Sequence, residues 1–241
     1  SKFVLENIVK IRRSFFEELL DPNEESFFLY SKDRKNIIIN SNALILSFLY
    51  QSHLYSPMSN SHLKVTESIL QKIILNNRDA MGFWPYNLDI KRRYDFDYHQ
   101  GFIIESLIEI LLTVKGQANN VLKIIDKDLL KETIDISLSF YYNNLFNSNG
   151  SSRWKMKSSW PIDIHDLAQG IITFSKAARI DIKYKENTNK ITNWVIENMR
   201  DSNGFFYYQK WPLFNNKINY MRWSQAWMSL ALSEYLKHNR T

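Results

Sequence analysis

The stretch Asp97-Tyr98-His99-Gln100-Gly101-Phe102 opens an apolar run over residues 103–112 and is the clearest of three related stretches. The second begins Asp163-Ile164-His165 and has Gln169-Gly170 before the run 171–178, and the third reads Arg222-Trp223-Ser224-Gln225-Ala226-Trp227 before 228–236. In each stretch, polar and aromatic residues stand where a mostly apolar helix begins. Repeated helix starts of this kind predict a ring or stack of helical hairpins with a site at one end.

Hydrophobic periodicity predicts eight helices along the chain. Amphipathic patterns cover residues 3–20, 62–75, 128–145 and 186–200, mostly apolar runs cover 37–50, 98–114 and 164–178, and a last helix covers about 220–237. Three loops rich in Asn, Asp and aromatic residues follow amphipathic helices and contain Gly82, Gly150 and Gly204. We expect each of these glycines to supply the left-handed backbone conformation that ends a helix.

The alternation of amphipathic and apolar helices predicts the fold class. In a two-layer ring the inner helices are covered on all sides, whereas the outer helices keep one face in water. The prediction is therefore an all-α fold of the α/α-toroid type, as an incomplete ring of about four hairpins, with a linear solenoid as the alternative. No linker divides residues 1–241, so we expect one domain. Its start at Ser1 is compatible with the C-terminal part of a longer chain.

Composition excludes several classes of protein and site. The absence of cysteine excludes a disulfide framework, a thiolate metal site and a cysteine nucleophile. The net charge of +6 is scattered, with its richest cluster at Lys91-Arg92-Arg93, which argues against nucleic acid. A solvated surface is the plain interpretation of this charge, and mild attraction to an anionic substrate such as an acidic glycan is the functional one. No apolar run is long enough to span a membrane. No signal peptide is present in this segment, so we expect a cytoplasmic location.

The repeated helix starts also supply the candidate site. In a toroid the long loops and the N-termini of the inner helices face the same end, so the expected catalytic residues are Asp97, His99, Asp163 and His165. Residues expected to contact substrate are Trp84, Tyr86, Trp160, Asp166, Gln169, Tyr207, Arg222, Trp223 and Gln225. Asp95 or Asp166 could replace either of the two leading aspartates as the working acid.

Plainer interpretations of these residues stay open. Asp97 and Asp163 stand where N-caps belong, and His99 and His165 could be hydrogen-bonded core histidines. Core packing is likewise an open alternative for four tryptophans, Trp84, Trp160, Trp223 and Trp227. The two Asp-x-His pairs match no specific metal spacing, and neither a Gly-rich phosphate loop nor a nucleophile elbow is present, so we expect no metal or cofactor. Two carboxylates across a cleft suit glycoside hydrolysis. A Tyr or His acid/base pair, with Arg222 on a substrate carboxylate, suits C5 proton abstraction from a uronic acid.

The chain resembles the α/α-toroid proteins encoded in bacterial capsule and exopolysaccharide gene clusters. Those proteins are similar in fold to six-hairpin glycosidases and to the C-terminal domain of glucuronyl C5-epimerases. The stretches that carry the resemblance are Gly82-Phe83-Trp84-Pro85-Tyr86, Tyr98-His99-Gln100-Gly101-Phe102, Asp163-Ile164-His165-Asp166-Leu167-Ala168-Gln169 and Asn219-Tyr220-Met221-Arg222-Trp223-Ser224-Gln225-Ala226-Trp227-Met228. The resemblance runs from Gly82 to the C-terminus and implies a role in making or modifying a bacterial surface polysaccharide. It brings no established mechanism, and proteins of this fold often have six hairpins where four are counted here.

Two functions of different classes follow. The first is a carbohydrate-active enzyme of glycosidase, lyase or epimerase type. The alternative is a non-catalytic glycan-binding or scaffold module of a polysaccharide assembly system. A terpenoid-cyclase-like toroid is disfavoured because the sequence lacks aspartate-rich metal motifs.

Overall fold

The helices expected from periodicity are present in the computed structural model, which describes residues 2–23, 26–33, 36–89, 97–116 and 126–239. Across these ranges there are eight α-helices: α1 Lys2–Ser14, α2 Ile39–His53, α3 Asn60–Ile69, α4 His99–Lys115, α5 Lys127–Leu145, α6 Ile164–Ala177, α7 Lys185–Asn198 and α8 Trp227–Asn239. Turns of π-helix extend α1 over Phe15–Leu19 and α3 over Leu70–Leu75, and Met221–Ala226 leads into α8 in the same way. None of the helices in the described ranges combines the length and apolarity needed to cross a membrane.

Burial follows the predicted alternation of helix types. In α6 every residue except Lys176 is buried, whereas α7 buries only one face, formed by Thr188, Ile191, Thr192, Trp194 and Val195. An inner helix covered all round and an outer helix with one wet face are what the sequence pattern predicts.

A small antiparallel sheet was not foreseen from the sequence. Its strands β1 Ile162–Asp163, β2 Gln209–Lys210 and β3 Asn215–Asn216 are each two residues long and lie in the order β1-β2-β3. In this sheet Asp163 is opposite Gln209. The pairing joins residues that are far apart in sequence, so periodicity carries no signal for it.

The three loop glycines form the same turn. Their φ angles are +102° at Gly82, +92° at Gly150 and +94° at Gly204, in the region that other residues rarely adopt. In each turn the glycine N–H donates to the carbonyl oxygen three residues earlier, at 2.9 Å. The predicted left-handed role of these glycines is confirmed, and the repeat is visible in the backbone as well as in the sequence.

The chain groups into two compact units, which are described separately. Unit 1 comprises Ser1–Tyr94 with Ser106–Ile136, and unit 2 comprises Asp95–Glu105 with Ser137–Thr241. Large buried side chains of unit 1 include Phe28, Leu46 and Trp84, and those of unit 2 include Tyr141 and Phe174. The single domain expected from the sequence stays a prediction.

Candidate functional site

The first Asp-x-His pair lies in unit 2, where α4 begins. One carboxylate oxygen of Asp97, Oδ1, accepts a hydrogen bond from the backbone N–H of His99 at 3.0 Å and also lies 2.6 Å from His99 Nδ1. Both side chains are partly exposed, Asp97 at 28% and His99 at 24%. The carboxylate therefore fixes the orientation of an imidazole ring that stays open to solvent.

The second pair begins in the same way and then differs. Asp163 is the N-cap of α6 and accepts from the backbone N–H of His165 at 2.8 Å, so its expected capping role is present. Its other carboxylate oxygen accepts from the Gln209 side chain at 2.7 Å. The His165 ring lies in a cluster of aromatic rings, and only the backbone N–H of His165 is bonded to Asp163.

Four aromatic rings surround His165. Their centroids lie 4.3 Å (Tyr98), 4.5 Å (Trp227), 5.5 Å (Trp223) and 6.3 Å (Phe102) from the imidazole centroid. The His165 Nε2 atom is buried and has no hydrogen-bond partner among the described residues. Burial, and then the nearby charge of His99, lower the pKa of His165 to about 4, although Asp97 acts in the opposite direction. His165 is therefore a neutral ring at neutral pH.

Asp166 is a buried carboxyl group in the first turn of α6. Neither of its oxygens has a hydrogen-bond partner within the described part of the chain. Burial raises the pKa of Asp166 well above its usual value, and the charges of Asp163 and Asp97 raise it further. The same surroundings raise the pKa of the Tyr141 hydroxyl, through burial first and then through Asp166. Burial thus favours the neutral form of the Asp166 carboxyl group.

Gln169 serves the packing of α6 on the first turns of α4. It is fully buried, and its amide nitrogen lies 3.0 Å from Glu105 and 3.1 Å from the Thr173 hydroxyl. Glu105 also pairs with Lys176 at 2.6 Å, with both side chains more than four-fifths buried. The expected substrate contact of Gln169 is therefore corrected, because no surface of this side chain is open to a ligand. The Glu105–Lys176 pair was missed, because the two residues are distant in sequence.

Two predicted contact residues lie in unit 1. Trp84 is fully buried, and its indole N–H donates to the Ile74 carbonyl at 2.8 Å. A buried ring cannot stack on a sugar, so the role expected for Trp84 is corrected to core packing. Tyr86 keeps an exposed side chain. Asp95 and the basic cluster at residues 91–93 lie outside the described residues.

Two adjacent tyrosines, Tyr207 and Tyr208, lie in the loop before α8 and have different surroundings. Tyr207 donates its hydroxyl to Asp201 at 3.2 Å and has the Lys217 ammonium 5.0 Å from its ring centroid. Burial first, and then the charges of Asp163, Tyr220 and Asp166, raise the pKa of Tyr208.

In the Arg-Trp-x-Gln stretch, Arg222 and Trp223 lie at the surface, whereas Gln225 supports a loop. Arg222 is exposed, lies 5.1 Å from the ring of Trp223 and forms no ion pair with any described residue. Trp223 is 42% exposed. Gln225 uses both ends of its amide on the Phe206 backbone, at 3.0 Å and 2.7 Å. Gln225 therefore supports the loop, and because one of its two amide N–H donors is not used in these bonds, its expected substrate contact stays a prediction.

Trp160 is the last of the residues predicted to contact substrate. The Trp160 ring is 37% exposed, directly before the cis bond to Pro161 and the start of β1. Among the described residues, no three or more His, Asp or Glu side chains are grouped so that they could hold a metal ion.

No family model and no curated protein matches the sequence. Several solved structures, however, are similar to this chain in fold. A possible member of glycoside hydrolase family 105 from Salmonella enterica has a TM-score of 0.70 at 12% identity, over 99% of this chain and 67% of that one. An α-1,6-mannanase of family 76 from Salegentibacter, an inactive variant with two neighbouring aspartates replaced by asparagine and bound to α-1,6-mannotriose, has a TM-score of 0.70 at 14% identity, over 98% and 65%. A family 76 α-mannanase from Bacteroides thetaiotaomicron gives 0.67 at 15%, over 98% and 68%.

These neighbours are α/α-toroids, so the fold class predicted from the sequence is confirmed. The similarity to six-hairpin glycosidases is confirmed at the level of fold. The chain spans about two thirds of the length of the structures it matches. At such low identities the likeness extends to the fold and not to the chemistry.

Proposed function

We propose that this chain is a carbohydrate-active enzyme that performs acid/base chemistry at the Asp97–His99 pair. The observation that carries the proposal is the 2.6 Å contact between Asp97 Oδ1 and His99 Nδ1 in a partly exposed position. A carboxylate that holds the Nδ1 proton leaves the lone pair of the neutral ring on Nε2, where it can take a proton from a substrate. The aromatic rings beside His99 supply faces on which a sugar can lie.

Accessibility favours a histidine base over a pair of carboxylates. Among the predicted acids that the structure describes, Asp97 is partly exposed, whereas Asp163 and Asp166 are each only 4% exposed. Glycoside hydrolysis by two carboxylates requires both to reach the scissile bond. The chain also contains no two adjacent aspartates, unlike the pair whose replacement accompanies inactivity in the Salegentibacter mannanase. These differences support proton abstraction at C5 of a uronic acid.

Arg222 supports the assignment of an acidic substrate. Its exposed guanidinium lies over Trp223, and that ring is 5.5 Å from His165. A guanidinium pairs well with a carboxylate in bidentate geometry. Neutralising the substrate carboxylate makes the C5 proton more acidic. Together with the net charge of +6, this supports an acidic polysaccharide as the substrate. We propose that it is a bacterial surface polysaccharide made or modified in the cytoplasm.

The test is proton NMR of a uronate-containing bacterial polysaccharide incubated with the protein in D₂O. Loss of the C5 proton signal by exchange with deuterium indicates an epimerase, and new unsaturated signals indicate a lyase. His99→Gln should abolish either change, whereas His62→Gln, an exposed histidine of unit 1, should preserve it. New reducing ends without C5 exchange would replace proton abstraction with hydrolysis.

A glycan-binding module is the second candidate, and one observation favours it. Unit 2 exposes large aromatic side chains, with Trp160 at 37%, Tyr220 at 42% and Trp223 at 42%, while Asp163 and Asp166 are buried. Binding of the same polysaccharide without any chemical change, and with equal affinity in the His99→Gln variant, would establish this function instead.

A further inference from the structure

The hairpin formed by β2 and β3 in unit 2 presents apolar side chains to solvent. The turn between the two strands reads Trp211-Pro212-Leu213-Phe214, and these four residues are called the hairpin tip below. Leu213 is 96% exposed, the highest value among the large apolar side chains that the structure describes, and Phe214 is 60% exposed. Apolar groups gathered at one exposed point mark a surface for a partner or a membrane.

The hairpin tip has a fixed shape. The Trp211 N–H donates to the Phe214 carbonyl at 2.8 Å and closes a four-residue turn. Pro212 occupies the second position of that turn, where its fixed φ angle is favoured. The rings of Trp211 and Phe214 stack, with centroids 5.8 Å apart and planes inclined by 11°. The apolar surface is therefore formed before any partner arrives, which lowers the entropic cost of binding.

Positive charge flanks the hairpin tip. Lys210 directly precedes it and Lys217 follows three residues after it, whereas residues 202–233 contain no Asp or Glu. At a rise of about 3.3 Å per residue, both lysines lie within roughly 10 Å of the tip along the chain. A tip that entered a bilayer to the roughly 5–10 Å typical of interfacial segments would thus bring both ammonium groups to the level of the lipid headgroups.

The chemistry of this surface distinguishes between kinds of partner. A sugar ring stacks on aromatic faces, and the most exposed side chain here, Leu213, offers none. Contacts between proteins are depleted in lysine, whereas two lysines flank this tip. Anionic bilayers attract lysine electrostatically, and their interfacial region accommodates Trp, Phe and Leu side chains.

We propose that the hairpin tip docks this chain on the surface of a bilayer that contains anionic phospholipid. The tip would lie in the interfacial region, held by its apolar side chains and by the two flanking lysines. The inference goes beyond the proposed function, because neither Asp97 nor His99 takes part in it.

Fluorescence at a single labelled position tests the docking. The chain contains no cysteine, so Leu213→Cys allows the fluorophore nitrobenzoxadiazole to be attached at the tip alone. Ile182→Cys carries the same label at another exposed aliphatic position of unit 2, 71% exposed, as the matched control. Vesicles of phosphatidylcholine and phosphatidylglycerol, at about 0.1 M salt, should shift the emission at position 213 to the blue and intensify it saturably. The emission at position 182 should not change.

Sedimentation of the unlabelled full chain with the same vesicles tests the native side chains. Leu213→Asp should abolish binding, whereas Ile182→Asp should leave it unchanged. Lys217→Gln should weaken binding by about fivefold, the usual effect of one lysine at an anionic membrane surface. Vesicles of phosphatidylcholine alone should bind the wild type more weakly.

The inference is overturned if the label at position 213 responds to vesicles no more than the label at 182, or if neutral vesicles bind as well as anionic ones. A blue-shifted label at 213 in a dimeric sample without vesicles would assign the tip to a second copy of the chain. A response to a uronate-containing polysaccharide instead of vesicles would assign it to a glycan. Leu213→Asp should leave C5 exchange intact, and His99→Gln should leave vesicle binding intact, so failure of either proposal is distinguishable from failure of the other.

Discussion

Asp97 Oδ1 lies 2.6 Å from His99 Nδ1 and also accepts the backbone N–H of His99, so one oxygen fixes both the start of α4 and the orientation of the ring. In the corresponding pair of the next repeat, Asp163 keeps the backbone bond to His165 and gives its second oxygen to Gln209. The repeated motif has thus produced two different environments. The first pair is partly exposed, whereas in the second the aspartate belongs to strand β1 and the histidine is buried among aromatic rings.

Replacement of the first aspartate separates these two tasks. Asp97→Asn should keep the helix start, because Asn caps about as well as Asp. The neutral amide no longer stabilises an imidazolium at His99, so we expect C5 exchange to slow by about 10²–10⁴-fold, the usual contribution of general acid/base catalysis. Asp126→Asn is the matched control, since Asp126 caps α5 through bonds to Asp128 and Leu129. Equal exchange rates for both variants and the wild type would exclude the pair from the chemistry.

The buried groups of α6 predict opposing dependences of stability on pH. The pKa of His165 falls from 6.5 to about 4 on folding, so between these values the unfolded state binds more protons and the free energy of unfolding rises with pH. The pKa of Asp166 is raised above 3.8, so the folded state holds the extra proton and the free energy of unfolding falls as pH rises. Each slope is at most about 1.4 kcal/mol per pH unit.

Two variants should expose one slope each. Asp166→Asn removes the falling component, so the free energy of unfolding should rise more steeply from pH 4 to 6.5 and should exceed that of the wild type at pH 7. His165→Phe removes the rising component and leaves the fall due to Asp166, to which the raised pKa of Asp163 adds. Urea unfolding from pH 4 to 7 measures both. Parallel curves for the two variants would mean that folding does not shift the two pKa values in opposite directions.

Local pattern predicts the helices and the glycine turns but does not predict which polar or aromatic side chain is covered. Periodicity identifies α6 as a buried helix, yet Gln169 looks as available as His99 until the close approach of α4 is known. That approach depends on Gly101, where a Cβ would lie 2.7 Å from Gln169 Cγ. Trp84 stands in a loop and so looks exposed, although its ring turns into the core. Gln209 has no sequence signal at all, because it reaches Asp163 through a sheet of long-range pairs.

Gln225 provides a test of loop support by a side chain. Gln225→Ala removes a donor and an acceptor from the partly buried Phe206 backbone, so the free energy of unfolding should fall by about 1–3 kcal/mol. Gln225→Glu can still accept from the Phe206 N–H but cannot donate to the Phe206 carbonyl. This variant should therefore also lower the free energy of unfolding, by more than a substitution at an exposed residue without hydrogen bonds does. Thermal unfolding monitored by tryptophan fluorescence measures both. No loss in either variant would show that the Gln225 side chain does not stabilise the loop.

The glycine turns allow backbone strain to be separated from packing. Gly150 and Gly204 have nearly the same φ, +92° and +94°, so an alanine at either position meets the same conformational penalty, about 1–2 kcal/mol. A Cβ at Gly150 would also lie 2.4 Å from the Lys190 carbonyl oxygen, whereas at Gly204 no described atom lies within 4 Å. Gly204→Ala should therefore lower the free energy of unfolding by the strain alone, and Gly150→Ala by clearly more, since α7 must move. Urea unfolding of the two single variants decides the matter, and equal losses would show that the turn at Gly150 moves away from α7 without cost.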